Sequence, residues 1–255
     1  MWLALIAEQN ISLNQVSTSN IIKVDDLETY LVTWKASLCQ EIAVGGLFTR
    51  NEIVHKWKAP WRSLLLRESV AWRLQDLLEQ SHILYSSSHL LGARILLRSG
   101  FETMAILIHL NQTMRQVVAG TLDFHEFSVK TSKLLLGSRD KTTNYEAINI
   151  LTVIQKADKR YAGLEGWYVA LSESAHPNYE GMLFGYSEAD EHNQVTTYKN
   201  QWVKRYGRLH IASIEACISV FVAEYNNEFS PAFEALELWI EQNDLTLEAT
   251  KPKNT

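Results

Sequence analysis

The stretch Leu90–Leu110, LLGARILLRSGFETMAILIHL, decides the fold class. Apolar residues fill almost every position, and a helix that is apolar all round belongs in the middle of a bundle. It is the only stretch of sequence long enough to suggest a membrane span, yet it carries Arg94, Arg98, Glu102 and His109, which argue against lipid. Arg94, Arg98 and Glu102 recur at i, i+4 and i+8, and His109 follows at i+15, so these groups fall within one stripe. The expectation is a buried helix with a single polar seam.

Outward from this helix the pattern stays helical. Ser63–Tyr85 and Ser87–Val118 read as two long helices, the second holding this stretch, either continuous through Ser86-Ser87-Ser88 or broken by a turn there. Asp123–Leu135, Asn144–Lys159 and Glu165–Ala175 follow, and Pro177 stops the last of these because proline disfavours the helical conformation of the residue before it. Met182–Tyr186 and Gln194–Tyr198 are β-prone runs on either side of Ser187-Glu188-Ala189-Asp190, which predicts a hairpin. Lys199–Asn226 predicts a long helix ended by Asn226-Asn227, and Ser230-Pro231 opens a last one through Glu241.

Upstream, Asp25 with Glu28 signals a helix start. Leu27, Leu31, Trp34, Leu38 and Ile42 then recur at helical spacing until Gly45-Gly46 stops the run. Thr49 with Glu52 reads as a second capping box, placing Arg50 in a first helical turn, and Pro60 interrupts soon after. The fold class is therefore an all-α bundle of about eight helices with a small β-hairpin insertion. Residues 1–60 form an N-terminal helical extension, 61–247 the bundle with its hairpin near 182–198, and 248–255 a disordered tail.

Composition bounds the partners. The chain has 255 residues, 46% of them hydrophobic and 21% charged, with a formal net charge of −5. Disorder is excluded, and no global basic field is present to attract nucleic acid. Two cysteines, Cys39 and Cys217, make neither a disulfide framework nor a CxxC site, which fits a reducing, cytoplasmic setting. Met1–Ala7 is apolar without a cationic flank and meets Glu8 at once, so it is expected to begin the mature protein.

Three places carry charge among apolar neighbours. In the seam of the central helix, Arg98 and Glu102 either satisfy one another as a structural ladder or line a cleft where Arg94 or Arg98 meets an anionic group. Glu215, surrounded by Ile211, Ile214, Cys217 and Ile218, is expected to pair with Arg94 or Arg98. His176 ends a helix, with its ring near the negative pole of the helix dipole and Asn178 beside it.

The run Arg98-Ser99-Gly100-Phe101-Glu102, followed by Tyr168 to His176-Pro177-Asn178, a hairpin and a long apolar helix, resembles uncharacterised bacterial all-helical proteins allied to the HEPN superfamily. The resemblance implies a metal-independent ribonuclease of the kind found in toxin and antiphage systems. It also implies a catalytic Arg with a His four to six residues later. That spacing occurs at Arg50-Asn51-Glu52-Ile53-Val54-His55 and at Arg205 to His210, but not upstream of His176. On this reading His176, or one of the other two histidines, takes the proton of the 2′-hydroxyl and Arg98 steadies the phosphorane charge, with Glu102 and Asn178 beside them. RNA, a protein partner or antitoxin, and a second copy of the chain are the partners it leaves open; a membrane is not among them.

Two other classes compete. One is a non-catalytic helical interaction protein in which the seam is only an ion-pair network. The other is a di-metal carboxylate bundle, because Glu-x-x-His occurs at Glu52/His55, Glu79/His82 and Glu173/His176, with Glu102 and Glu215 as further carboxylates. Arg94 and Arg98 would set cations beside such a metal, so no metal is expected. No Gly-rich phosphate loop, GxSxG elbow or HExxH is present, and no cofactor is expected.

Overall fold

Two long helices, α4 (Lys58–Ser86) and α5 (Leu90–Val118), form an antiparallel pair around which the rest is built in this computed structural model, which describes residues 27–252. They turn at Ser87–His89, where Ser88 takes a left-handed φ of 63°. Before them lie α1 (Leu27–Ser37), α2 (Val44–Arg50) and α3 (Glu52–His55). After them come α6 (Phe124–Leu136), α7 (Ile150–Asp158), α8 (Leu164–Ala175) and a π-helical turn, Tyr179–Phe184. The hairpin β1 (Ser187–Asp190) and β2 (Val195–Tyr198) follows, then α9 (Trp202–Val222), a second π-helical turn (Ala223–Glu228) and α10 (Phe229–Ala249). The fold is an all-α bundle with a small β-hairpin.

Helix α5 sits at the centre, packed by α4, α6, α7, α8, α9 and α10. Its Leu90, Leu97, Leu107, Ile108, Leu110 and Met114 are fully buried, as an all-round apolar helix requires. Leu27, Leu31, Leu38, Val54 and Trp57 join the same continuous core as the long helices. A smaller cluster of Leu90, Ala93 and Trp202, with Tyr186 and Tyr206 against it, closes the hairpin end.

Several boundaries differ from the sequence reading. Gly45-Gly46 does not stop a helix but lies inside α2, after a break at 38–43; Asp25 lies outside the described residues. Thr49 is not a cap: its hydroxyl donates back to the Gly45 carbonyl at 3.1 Å. The cap of α3 is Asn51, whose side chain accepts from the Val54 N–H, so Arg50 ends α2 and begins no helix. Pro60 sits in the first turn of α4, where its missing N–H would have no intrahelical partner, and therefore does not interrupt it. Asn144–Asn149 is non-helical, and α7 begins at Ile150 with Asn149 as cap.

The hairpin is shifted by five residues from its expected first strand. Met182–Phe184 lie in the π-helical turn, and the polar Ser187–Asp190, expected as the loop, form β1. Asn226-Asn227 do not end α9, because the chain passes through the second π-helical turn directly into α10, which runs on to Ala249. By length and composition this 48-residue run, Trp202–Ala249, holds the one window among the described residues apolar enough to cross a membrane; Leu90–Leu110 does not qualify. One side of this run packs on α5 and Glu224 lies buried within it, while Leu209, Leu238 and Leu245 remain exposed.

Candidate functional site

The polar seam lies where α5 meets α8. The helices run antiparallel, since Arg98 reaches Tyr168 and Ser172 while Arg94, a turn earlier, reaches Ala170 and Ser174. Tyr168 and Ser172 stand four apart on α8, so both face the same α5 stripe. Helix α8 starts after Gly163, whose φ of 98° suits a residue without Cβ, and ends at His176 in extended conformation.

Arg94 is only 3% exposed. Its Nε donates to Ser174 Oγ at 2.7 Å, one Nη donates to the Ala170 carbonyl at 2.9 Å, and its guanidinium stacks over the Tyr206 ring at 4.3 Å. Glu180, from the first π-helical turn, lies 3.9 Å away and accepts from Ser174 Oγ at 2.7 Å. Burial pulls the Arg94 pKa below its usual value, and Glu180 opposes that pull. A cation so enclosed serves structure.

Arg98 is placed differently. Its side chain and that of Glu102 keep 28% and 25% of their surface in solvent. Arg98 Nε donates to Ser172 Oγ at 2.8 Å, and Nη2 donates to the Tyr168 hydroxyl at 2.7 Å and lies 3.2 Å from Glu102 Oε1. Tyr168 in turn donates its proton to Glu102 Oε1 at 3.0 Å. These contacts use Nε and Nη2 only, leaving the Nη1 hydrogens without a hydrogen bond among the described residues. The two segments that carried the family resemblance, Arg98 to Glu102 and Tyr168 to His176, thus meet directly.

His176 continues the α8 stripe at i+4 from Ser172, is exposed, and its ring makes no hydrogen bond or ion pair among the described residues. Asn178 does not face the seam. Its side chain accepts from the Gly181 N–H at 3.0 Å and donates to Glu173 at 2.5 Å, capping the π-helical turn. A side chain at Gly181 would strike the His176 carbonyl, so this tight return after Pro177 depends on glycine.

Arg50 and His55 are brought together, with Arg50 Nη2 3.3 Å from His55 Nε2, and both meet Glu237 of α10. The His55 side chain is 1% exposed, and its Nε2 lies 3.1 Å from Glu237 Oε1. Burial, with Arg50 adding to it, lowers the His55 pKa, so at neutral pH the ring is uncharged despite its carboxylate neighbour. Nε2 sits between Arg50 and Glu237, and Nδ1 is buried without a partner, so neither ring nitrogen presents a lone pair to solvent. Asn51 donates to Glu241, Lys56 to Asp244 and the Trp57 indole to Asp244, tying the α2–α3 segment to the acidic face of α10.

Arg205 and His210 are not brought together. Arg205 donates to the carbonyls of Phe184 and Ser187 and stacks on Phe184 at 3.5 Å, pinning the hairpin base. His210 is fully buried, 3.2 Å from Ser81 Oγ, and burial lowers its pKa to about 3, with Arg94 and His82 adding to the shift.

Two expectations about charge are corrected. Glu215 is half-buried and pairs with neither Arg94 nor Arg98. His109 leaves the stripe; it is buried, its charged neighbours are Lys156 and Lys130, and its pKa falls to about 4, burial being the largest cause. The deeply buried carboxylate is instead Glu224, which no apolar periodicity flagged. It accepts from Asn111 at 2.7 Å and from the Tyr161 hydroxyl at 2.8 Å, and pairs with Arg160 at 2.5 Å. Sequence reasoning also missed Glu180 and Tyr206 as partners of Arg94, because the π-helical turn that aims Glu180 has no periodic signal.

The di-metal inventory is not assembled. Glu79 is taken by Lys35 and Gln75, Glu173 by Asn178, and among the described residues no three His, Cys, Asp or Glu side chains converge as metal ligands. No family model, curated protein or solved structure matches the chain.

Proposed function

We propose that this chain is a HEPN-like, metal-independent ribonuclease, a cytoplasmic defence-associated effector or toxin, acting at the α5–α8 seam. The observation that carries the reading is the Arg98 guanidinium, held by Ser172, Tyr168 and Glu102 on a side chain that keeps 28% of its surface in solvent, on the stripe that ends in the unengaged His176. In this reaction His176 takes the proton of a ribose 2′-hydroxyl and the freed oxygen attacks phosphorus. The bond to the 5′-oxygen breaks, that oxygen takes a proton from water, and a 2′,3′-cyclic phosphate results. Arg98 carries the charge that builds on the non-bridging oxygens, and Tyr168 and Glu102 hold its plane in place. His55 and His210 are disfavoured as the base because neither presents a nitrogen lone pair to solvent.

The test is cleavage of single-stranded RNA in the presence of a chelator. Wild type is expected to cut; His176→Ala is expected to lose about a hundredfold or more of the rate, with an unchanged thermal midpoint. Full activity in His176→Ala removes that residue from the mechanism. No cleavage by wild type, with or without cellular partners, leaves the second reading. That reading is a helical interaction protein whose seam only braces α8, and it is favoured by the complete enclosure of Arg94.

A further inference from the structure

We propose that the outer edge of β2 pairs with the β2 edge of a second copy, giving a two-fold, four-stranded antiparallel sheet between chains. The hairpin pairs Ser187 with Tyr198, Glu188 with Thr197, Ala189 with Thr196 and Asp190 with Val195. The Lys199 N–H donates to the Tyr186 carbonyl at 2.7 Å, making that the hydrogen-bonded pair next in register. By alternation, Glu188/Thr197 and Asp190/Val195 are also hydrogen-bonded pairs, and the N–H and C=O groups of Thr196 and Tyr198 point away from β1. No described residue outside the hairpin hydrogen-bonds them. All four β2 residues are exposed, Tyr198 at 76% and Val195 at 49%.

The two edges of the hairpin are unequal. Proteins protect free edges with charge, and β1 carries Glu188 and Asp190, whereas Val195-Thr196-Thr197-Tyr198 is uncharged and entirely β-branched or aromatic. Two strands alone are marginal, and a third or fourth is what stabilises them. The chemistry of the edge selects its own copy as occupant. With the two-fold axis at Thr197, the outward groups of Thr196 meet those of Tyr198 from the other chain, twice over. That arrangement also sets a β-branched residue opposite an aromatic one and Val195 opposite Lys199, with no like charges facing. The same operation on β1 would place Glu188 against its own copy and is self-repelling. An interface this small lies at the weak end of specific association, so the pairing is concentration-dependent.

Sedimentation of the full chain from low to high micromolar concentration is expected to show a reversible rise from one chain to two. Thr196→Pro removes an outward N–H without touching the ladder to β1, and is expected to weaken association about tenfold or more, with helical circular dichroism and thermal midpoint unchanged. Thr197→Cys is expected to form an inter-chain disulfide on mild oxidation, and Ala189→Cys, on the outer edge of β1, is not. A chain that stays single at every concentration overturns the proposal. So does a dimer indifferent to Thr196→Pro, or cross-linking equal at both cysteine positions.

Discussion

Tyr168 donates its phenolic proton to Glu102 across 3.0 Å, and this bond ties to α8 the carboxylate that pairs with Arg98 on α5. The same oxygen accepts from Arg98 at 2.7 Å, so the hydroxyl transmits position between cation and carboxylate. Tyr168→Phe is expected to cost about 1 kcal/mol of stability, because the groups it abandons can recover water. In the ribonuclease reading it also loosens the Arg98 plane, so the turnover number should fall while the RNA-binding midpoint changes little. Urea unfolding and single-turnover cleavage measure the two effects separately. A Tyr168→Phe chain with normal turnover would detach this hydroxyl from the chemistry.

Arg94→Ala should behave as a scaffold lesion. Its guanidinium is enclosed by Ser174, Ala170, Glu180 and Tyr206, and truncation leaves a void and unpaired acceptors. The expected loss is about 3 kcal/mol, at the lower end for a broken buried pair because Glu180 keeps some solvent access. Urea denaturation at constant m-value measures it, and a loss under 1 kcal/mol would show that water fills the gap.

What the sequence made legible follows from periodicity. The apolar run of α5 and the capping residue Asp123 announce themselves locally, and so does the stop at Pro177; the α5 helix begins three residues later than read, and the other two landed within a residue. The Arg98 to Glu102 stripe was legible too, because four-residue spacing is a property of one helix. Its partners on α8 were half legible: Tyr168 and Ser172 share a spacing of four, but nothing in a sequence states that the two stripes meet. Misreadings cluster where backbone geometry departs from the regular periods. The two π-helical turns moved the hairpin, carried the chain past Asn226-Asn227, and brought Glu180 and Glu224 to positions that a period of 3.6 does not foresee. Gly45-Gly46 stand in a short helix that buries no residue, and nothing in its packing explains why the glycines do not end it.

Glu224 is the most exacting position in the fold. Its carboxylate is fully buried at the junction of α9 and α10 and is answered by Asn111, Arg160 and Tyr161 from α5 and the α7–α8 connection. Burial raises the Tyr161 pKa, and the adjacent carboxylate raises it further, so the phenol stays a donor across the physiological range. Glu224→Ala is expected to cost about 1 to 3 kcal/mol, since it takes the buried acceptor from Tyr161 and one of the two from Asn111, while Arg160 keeps Glu228 at 2.9 Å. Glu224→Gln keeps the shape and should cost less. Equilibrium unfolding of both variants checks the ranking, and an alanine variant as stable as the glutamine one would contradict it.

The pH dependence of stability has a definite sign. His109 and His210 hold pKa values of about 4 and about 3 in the folded chain, against 6.5 in model compounds, because both rings are buried. Once unfolded, each binds a proton as pH drops through 6.5, while the folded chain leaves both neutral until much lower pH. The unfolded state therefore carries more protons between these limits, and stability rises with pH there. Stability is fully present above about pH 7 and erodes below 6.5, at a limiting slope near 1.4 kcal/mol per pH unit for each histidine. His55, lowered by burial and by Arg50, acts in the same direction. Urea unfolding between pH 4.5 and 7 is expected to show this loss. His109→Gln should remove about one proton from the slope, and a flat profile in the parent chain would mean that these rings reach water in the folded state.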